Sequence, residues 1–202
     1  MPLTPIPLPD ADLLLDPEFL SRLEAAELLT ELTATIPWQH EAIRLFGQEV
    51  LQPRLTAWHG DAGATYRYSG LQLNPQPWTP ALQKLRQHVE AVTGAAFNSV
   101  LLNLYRTGQD SMGWHADNEP ELGSRPVIAS VSLGATRSFR LRPRDPLLTP
   151  HPPLSLALTS GSLLVMRGLT QQAWLHALPK TTRVQEPRLN LTFRLVITPD
   201  RG

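Results

Sequence analysis

The chain has 202 residues, with 18 basic side chains, 18 acidic ones and no cysteine. That length suits one domain burying roughly 70% of its unfolded surface without covalent staples, and the lack of thiols excludes disulfides and thiolate metal sites. A formal charge of zero excludes a global pull toward polyanions, so any nucleic-acid surface must be local.

The opening MPLTPIPLPD has no basic n-region and is broken by prolines, so residues 1–15 read as an extended arm and not a signal peptide. With no run of about 18 apolar residues to span a membrane, the expectation is a soluble, monomeric, cytoplasmic protein (nuclear if eukaryotic). Asp16 as N-cap and Pro17 at the first helical position predict a helix over about 17–34, with Phe19, Leu20, Leu23, Leu28 and Leu32 as its apolar stripe. A second helix starts at Thr79 and Pro80, carries Leu82, Leu85, Val89 and Val92 on one face, and stops at Gly94.

After residue 98 the pattern changes to short β-rich runs separated by Gly and Pro: FNSVLLNLYRTG, RPVIASVSLGATRSFRLR, GSLLVMRG, WLHALPK and RLNLTFRLVI. Helices early and strands late predict an α+β fold, an antiparallel jelly-roll buttressed by helices, with the Pro-rich 143–153 as a loop. No repeat or linker divides the chain.

Within GWHADNEP, His115 and Asp117 are two apart and leave one face if the chain there is extended. His176, in AWLHALPK, is a third candidate ligand on a late strand. Two histidines and one carboxylate form the facial ligand set of non-haem iron(II) oxygenases, but the same set suits zinc with a water. In TRSFRLRPR, Arg140, Arg142 and Arg144 at period two fit either a phosphate backbone or a solvated outer strand face.

In RLNLTFR, Arg188, Asn190, Thr192 and Arg194 share one sheet face and Leu189, Leu191 and Phe193 the other. Inward arginines need anionic partners. A dicarboxylate gripped from both ends of this ~20 Å strand would supply two. Asn103 and Tyr105, also two apart, offer an amide and a phenol to the same ligand.

The motifs NLY, WHADNE, PVIASVSLGATRSF, HALP and PRLNLTFR, in this order, resemble those of the AlkB family of iron(II)- and 2-oxoglutarate-dependent nucleic-acid dealkylases. The resemblance covers about residues 54–197. AWHGDAGATYRYSG and the long ASVSLGATRSF run make it closer to the animal-type DNA repair branch. It implies a single dioxygenase domain over 1–202, with a double-stranded β-helix core at 99–198 and a nucleotide-recognition lid at 45–78. It implies that His115, Asp117 and His176 bind Fe(II), and that Asn103, Tyr105, Arg188, Asn190 and Arg194 bind 2-oxoglutarate. Arg188 would take the distal carboxylate and Arg194 lie near the proximal one, roles open to exchange.

The implied reaction consumes O₂ and 2-oxoglutarate, yields succinate and CO₂, and removes the methyl of 1-methyladenine or 3-methylcytosine as formaldehyde, from DNA or from RNA. A base methylated on its pairing edge must be flipped out or single-stranded, and a flipped base needs aromatic walls. The resemblance assigns Tyr66 and Tyr68 to the lid, with Trp58 extending the wall, although aromatic pairs in strands also fill cores. It puts Glu119 near the exocyclic amine, and Phe46 at the place of a wedge that fills the gap in a duplex, or in the core. Asn118 departs from the pattern, standing where many relatives have a second acid. A 2-oxoglutarate oxygenase of proteins or small molecules, or a non-catalytic nucleic-acid-binding module, is the alternative.

Overall fold

The computed structural model describes residues 2–45, 48–68 and 71–197. Strands β1 (Thr4–Ile6) and β2 (Asp12–Asp16) precede helix α1 (Arg22–Thr35). A hairpin of β3 (Ala42–Leu45) and β4 (Gln48–Leu51), strand β5 (Leu55–Gly60) and a second hairpin of β6 (Tyr66–Tyr68) and β7 (Leu71–Leu73) lead to α2 (Pro80–Thr93). Then come β8 (Ser99–Tyr105), β9 (Met112–His115), β10 (Ile128–Gly134), β11 (Arg137–Pro143), β12 (Leu154–Leu158), β13 (Ser162–Arg167), the single turn α3 (Thr170–Ala173), β14 (Trp174–Leu178) and β15 (Arg188–Arg194).

Among the described residues these form a seven-stranded sheet ordered β1-β2-β13-β10-β15-β8-β5 and a four-stranded sheet ordered β12-β11-β14-β9. Neighbouring strands in both sheets are antiparallel. Period two sorts their side chains into two layers. On one face of the large sheet, Val100, Leu102, Leu104, Leu189, Leu191 and Phe193 pack with Leu32 of α1 and with Leu82, Leu85 and Val89 of α2. On the other, Leu101, Ile128, Leu164 and Met166 meet Phe139, Leu141, Leu158 and Trp174 across the sandwich. The result is the helix-buttressed jelly-roll that the late strand-rich sequence predicts. No helix among the described residues is long and apolar enough to cross a membrane.

Helix α2 keeps the ends read from its sequence. The Leu82 amide donates to the Thr79 hydroxyl at 3.2 Å, Pro80 opens the first turn, and Gly94 closes it in the left-handed region at φ 67°. Burying Leu82, Leu85 and Val89 contributes about 1.5–3 kcal/mol each relative to exposure. Val92 leaves the stripe at 39% exposure.

Helix α1 begins later than Asp16 and Pro17 suggest. Asp16 ends β2 opposite Leu163, and its carboxylate accepts from the Glu18 amide at 2.9 Å. The helix starts at a reciprocal capping box, in which the Glu24 amide donates to the Ser21 hydroxyl and the Ser21 amide to the Glu24 carboxylate. Asp16 and Ser21 can both arrest a chain locally, and pairing of β2 with β13 decides between them. The predicted stripe shifts with the start: Leu23 is 68% exposed, while Ala25 and Leu32 face the core. The expected N-terminal arm instead carries β1 and most of β2, which extend the large sheet beyond β13.

Candidate active site

Between the sheets lies a cavity whose polar lining comes from alternate residues of β8, β10 and β15, with β9 and β14 opposite. RLNLTFR is a central strand, paired to β10 on one side and β8 on the other, with all seven residues buried. Arg188, Asn190, Thr192 and Arg194 line the cavity, together with Asn103 and Tyr105. An exposed edge strand, which the sequence pattern also permits, is excluded by this pairing.

Strand β9 ends at His115, whose partner across the ladder is His176 of β14, with ring centroids 4.2 Å apart. Asp117 follows in irregular extended chain, its amide donating to the buried Gln171 side-chain oxygen at 2.9 Å. One ligand atom from each of His115, Asp117 and His176 lies within 4.8 Å of the others, so the three converge as one metal site. The His115 Nδ1 sits 2.9 Å from the Gly113 carbonyl. A carbonyl only accepts, so Nδ1 carries the proton and Nε2 keeps its lone pair for a metal.

Burial alone would raise the Asp117 carboxyl, but the charges of Arg194, His176 and His115 and a 2.8 Å hydrogen bond from Arg194 hold it down at about 2. His176 is pushed down to about 3 by burial and then by repulsion from His115. Near neutral pH the site therefore presents a carboxylate and an unprotonated imidazole, the forms that ligate a cation.

Arg188 is 3% exposed and donates to the Ser132 hydroxyl at 2.9 Å, with its guanidinium 5.5 Å from the Tyr105 ring centre. Its Nε is buried without a hydrogen-bond partner among the described residues. Burial lowers its pKa to about 10, which leaves it a cation near neutral pH. A buried cation with an unused donor is costly unless an anion completes it. The residues present thus fit a small carboxylate ligand beside a metal.

Residues 12–194 match the 2OG-Fe(II) oxygenase superfamily. The chain belongs to that superfamily and, within it, to the AlkB family. It is 42% identical to the human alpha-ketoglutarate-dependent dioxygenase alkB homolog 3 over 192 residues, covering 92% of this chain and 66% of that one. It is 43% identical to the human DNA oxidative demethylase ALKBH2 over 183 residues, covering 87% of this chain and 70% of that one. Among solved structures, that of OsALKBH1 superposes with a TM-score of 0.62 at 18% identity, over 90% of this chain and 97% of that one, which shows the shared fold.

Among the expected base-contacting residues, those described lie on β5, on β6 and in the chain beyond Asp117. Trp58 is 4% exposed, packs between the sheets, and donates from its indole to the Ala64 carbonyl at 3.1 Å. Pairing of β5 with β8 sets it beside Leu101, which lines the cavity. Tyr66 and Tyr68 are the ends of β6, paired with Leu73 and Leu71; their side chains lie outside the described residues, as does Phe46 entirely. Glu119 is half-buried in the irregular chain two residues beyond Asp117, and Asn118 is exposed.

The site also uses residues that motif reading passed over. Gln171 fixes the Asp117 backbone. The Arg54 Nε donates to the Asn103 side-chain oxygen at 2.8 Å, which turns the amide N–H₂ of Asn103 to other acceptors. Arg137 donates to the carbonyls of Thr107, Gly108, Asp110 and Pro179, tying two loops together behind Tyr105. Only Ser130 and Ser132 left a signal, as small polar residues at period two in the apolar run IASVSLG.

Proposed function

We propose that the chain is an Fe(II)- and 2-oxoglutarate-dependent dioxygenase that oxidatively removes N-methyl groups from bases such as 1-methyladenine and 3-methylcytosine in DNA. The observation that carries the reading is the convergence of His115, Asp117 and His176 in one cavity with Arg188, which has no carboxylate partner among the described residues. Similarity to a dioxygenase and to a DNA oxidative demethylase supports the substrate class.

Iron(II) held by the three ligands supplies the activation of O₂ with 2-oxoglutarate that oxidises a carbon–hydrogen bond of the methyl group. One oxygen atom ends in succinate and the other in the hydroxymethyl product, which then releases formaldehyde. The protein binds and orients. Arg188 and Tyr105 take the distal carboxylate, Asn103 and Asn190 stand along the chain of the co-substrate, and Arg194 fixes Asp117 while lying close to the proximal carboxylate. Leu101, Phe139, Met166 and Leu178 make the rest of the wall apolar and exclude water. Residues 45–78 serve as the nucleotide-recognition lid, with Tyr66 and Tyr68 stacking on the base, Glu119 meeting its exocyclic amine, and Phe46 filling the gap in a duplex.

The test loads the protein with Fe(II) and 2-oxoglutarate anaerobically, admits O₂, and follows oligonucleotides carrying either lesion by mass. Loss of one methylene unit per succinate formed is the expected result. Succinate without demethylation would overturn the substrate assignment, and neither product from folded, iron-bound protein would make the chain a non-catalytic binding module.

A further inference from the structure

Strand β11 alternates strictly: Arg137, Phe139, Leu141 and Pro143 are buried, while Ser138, Arg140 and Arg142 stand on the outer face of the four-stranded sheet. Their neighbours there are small or short. Ser155 and Ala157 of β12 flank them on one side, and Ala177 and Leu175 of β14 lie opposite Arg140 and Arg142 on the other. Beyond β14 runs β9, an edge strand among the described residues. Its Trp114 is 39% exposed on the same outer face, because the next residue, His115, points inward to the metal site. The Arg142 guanidinium reaches across β14 to lie 4.5 Å from the centre of the Trp114 ring.

Charge and pairing set this face apart. The four strands MGWH, RSFRLRP, LSLAL and WLHAL contain no aspartate or glutamate, in a chain with 18 acids. Arg86, Arg106, Arg167 and Arg194 are each paired with a carboxylate. The side chains of Arg140 and Arg142 make no hydrogen bond or ion pair among the described residues. If Arg142 only shielded an exposed indole, neither the absence of acids nor the second unpaired arginine at period two would be required.

We propose that this outer face is a docking surface for single-stranded DNA, with Arg140 and Arg142 on successive phosphates and Trp114 under an unpaired base. The two arginine Cα atoms are ~7 Å apart along the strand, on the scale of neighbouring phosphates in an extended single strand. An indole beside a guanidinium offers stacking that tolerates any base but requires it to be unpaired. The surface also leads to the chemistry. Trp114 and His115 are consecutive, so DNA crossing the edge at Trp114 arrives at residues 116–119, next to Asp117. A strand held here would deliver a neighbouring nucleotide to the cavity. The inference rests on the dealkylase reading, to which it adds the path of the strand.

The test measures anisotropy of a labelled, unmodified single-stranded oligonucleotide with the anaerobic Fe(II)- and 2-oxoglutarate-loaded protein, across a salt series. The double variant Arg140→Gln/Arg142→Gln should bind about tenfold more weakly, and its log–log salt slope should be shallower by about 1.4. Trp114→Ala should cost about fivefold or more, Arg142→Lys should keep most of the affinity, and Arg22→Gln, on an exposed helix end, should change little. Succinate formation without DNA should stay at the wild-type level in all of them, which separates docking from damage to the metal site. Wild-type affinity and slope in the double variant would overturn the surface and leave dealkylation standing. A wild-type protein that binds no DNA would overturn both.

Discussion

Strands β15 and β4 lie at the extremes of burial in this molecule. All seven residues of RLNLTFR are buried between two paired neighbours, and all four of QEVL are exposed in a two-stranded hairpin. The first carries groups proposed to hold the co-substrate and the arginine that donates to Asp117, while the second belongs to the segment proposed to read the base. Burial on both faces allows a strand to keep charged groups in fixed geometry, since neighbours over-determine every rotamer. A hairpin with little buried surface cannot do this alone, but it can adapt to a substrate at little cost. The contrast assigns rigidity to the chemistry and adaptability to recognition.

The largest expected effect comes from breaking the buried centre. Asp117→Ala should abolish 2-oxoglutarate turnover and stoichiometric iron binding. It should also cost about 3–5 kcal/mol of stability, because it removes the carboxylate to which the buried Arg194 donates. Iron content, succinate formation and denaturant melts would check all three. A stable, iron-binding variant would mean that the triad is not the metal site.

Arg188→Met sharpens the comparison by separating ligand binding from architecture. The variant should raise the KM for 2-oxoglutarate about 100-fold or more, as loss of one buried charge partner does. Its melting temperature should hold or rise, because Arg188 is a buried cation with no carboxylate partner among the described residues. A strong drop in stability would instead make Arg188 a structural group.

The half-exposed rim behind Tyr105 should respond more weakly. Burial alone would raise the Asp110 carboxyl, but hydrogen bonds from the Arg106 side chain and amide, with its charge, bring it net below its ordinary value of 3.8. A carboxylate lowered by folding contributes stability above its unfolded pKa and loses it as pH falls through the folded one. Asp110→Asn should therefore cost about 1 kcal/mol or less near pH 7, given the 47% exposed Arg106 side chain. The gap from wild type should close as pH drops below 3.8. A gap that stays constant down to pH 2 would assign the loss to packing and not charge.

The smallest effect lies in the hairpins. Amides of β3 and β4 should exchange with solvent faster than those of β8 and β15, which share the buried centre of the large sheet. Equal protection would remove the proposed division of labour.

These contrasts also show what the sequence makes legible. Alternation in RLNLTFR and SVLLNLY identifies an apolar face and a polar face because a strand has period two, and Thr79, Pro80 and Gly94 mark α2 through local backbone chemistry. Such signals act within a few residues. Gln171 meets Asp117 across 54 positions and Arg54 meets Asn103 across 49, so no local pattern announces either. The start of α1 is hidden from the local sequence for the same reason, since the pairing of β2 with β13 removes Asp16 from its apparent cap. Trp58 has a sequence suited to a wall or a core, and its burial beside Leu101 follows only from the pairing of β5 with β8.

One cavity is proposed to hold the metal and 2-oxoglutarate together. Anaerobic calorimetry of 2-oxoglutarate binding, with and without Fe(II), tests it most directly. One tight site per chain is expected in the iron-loaded protein, with binding at least tenfold weaker without iron. Equal affinity in both states would contradict a shared site.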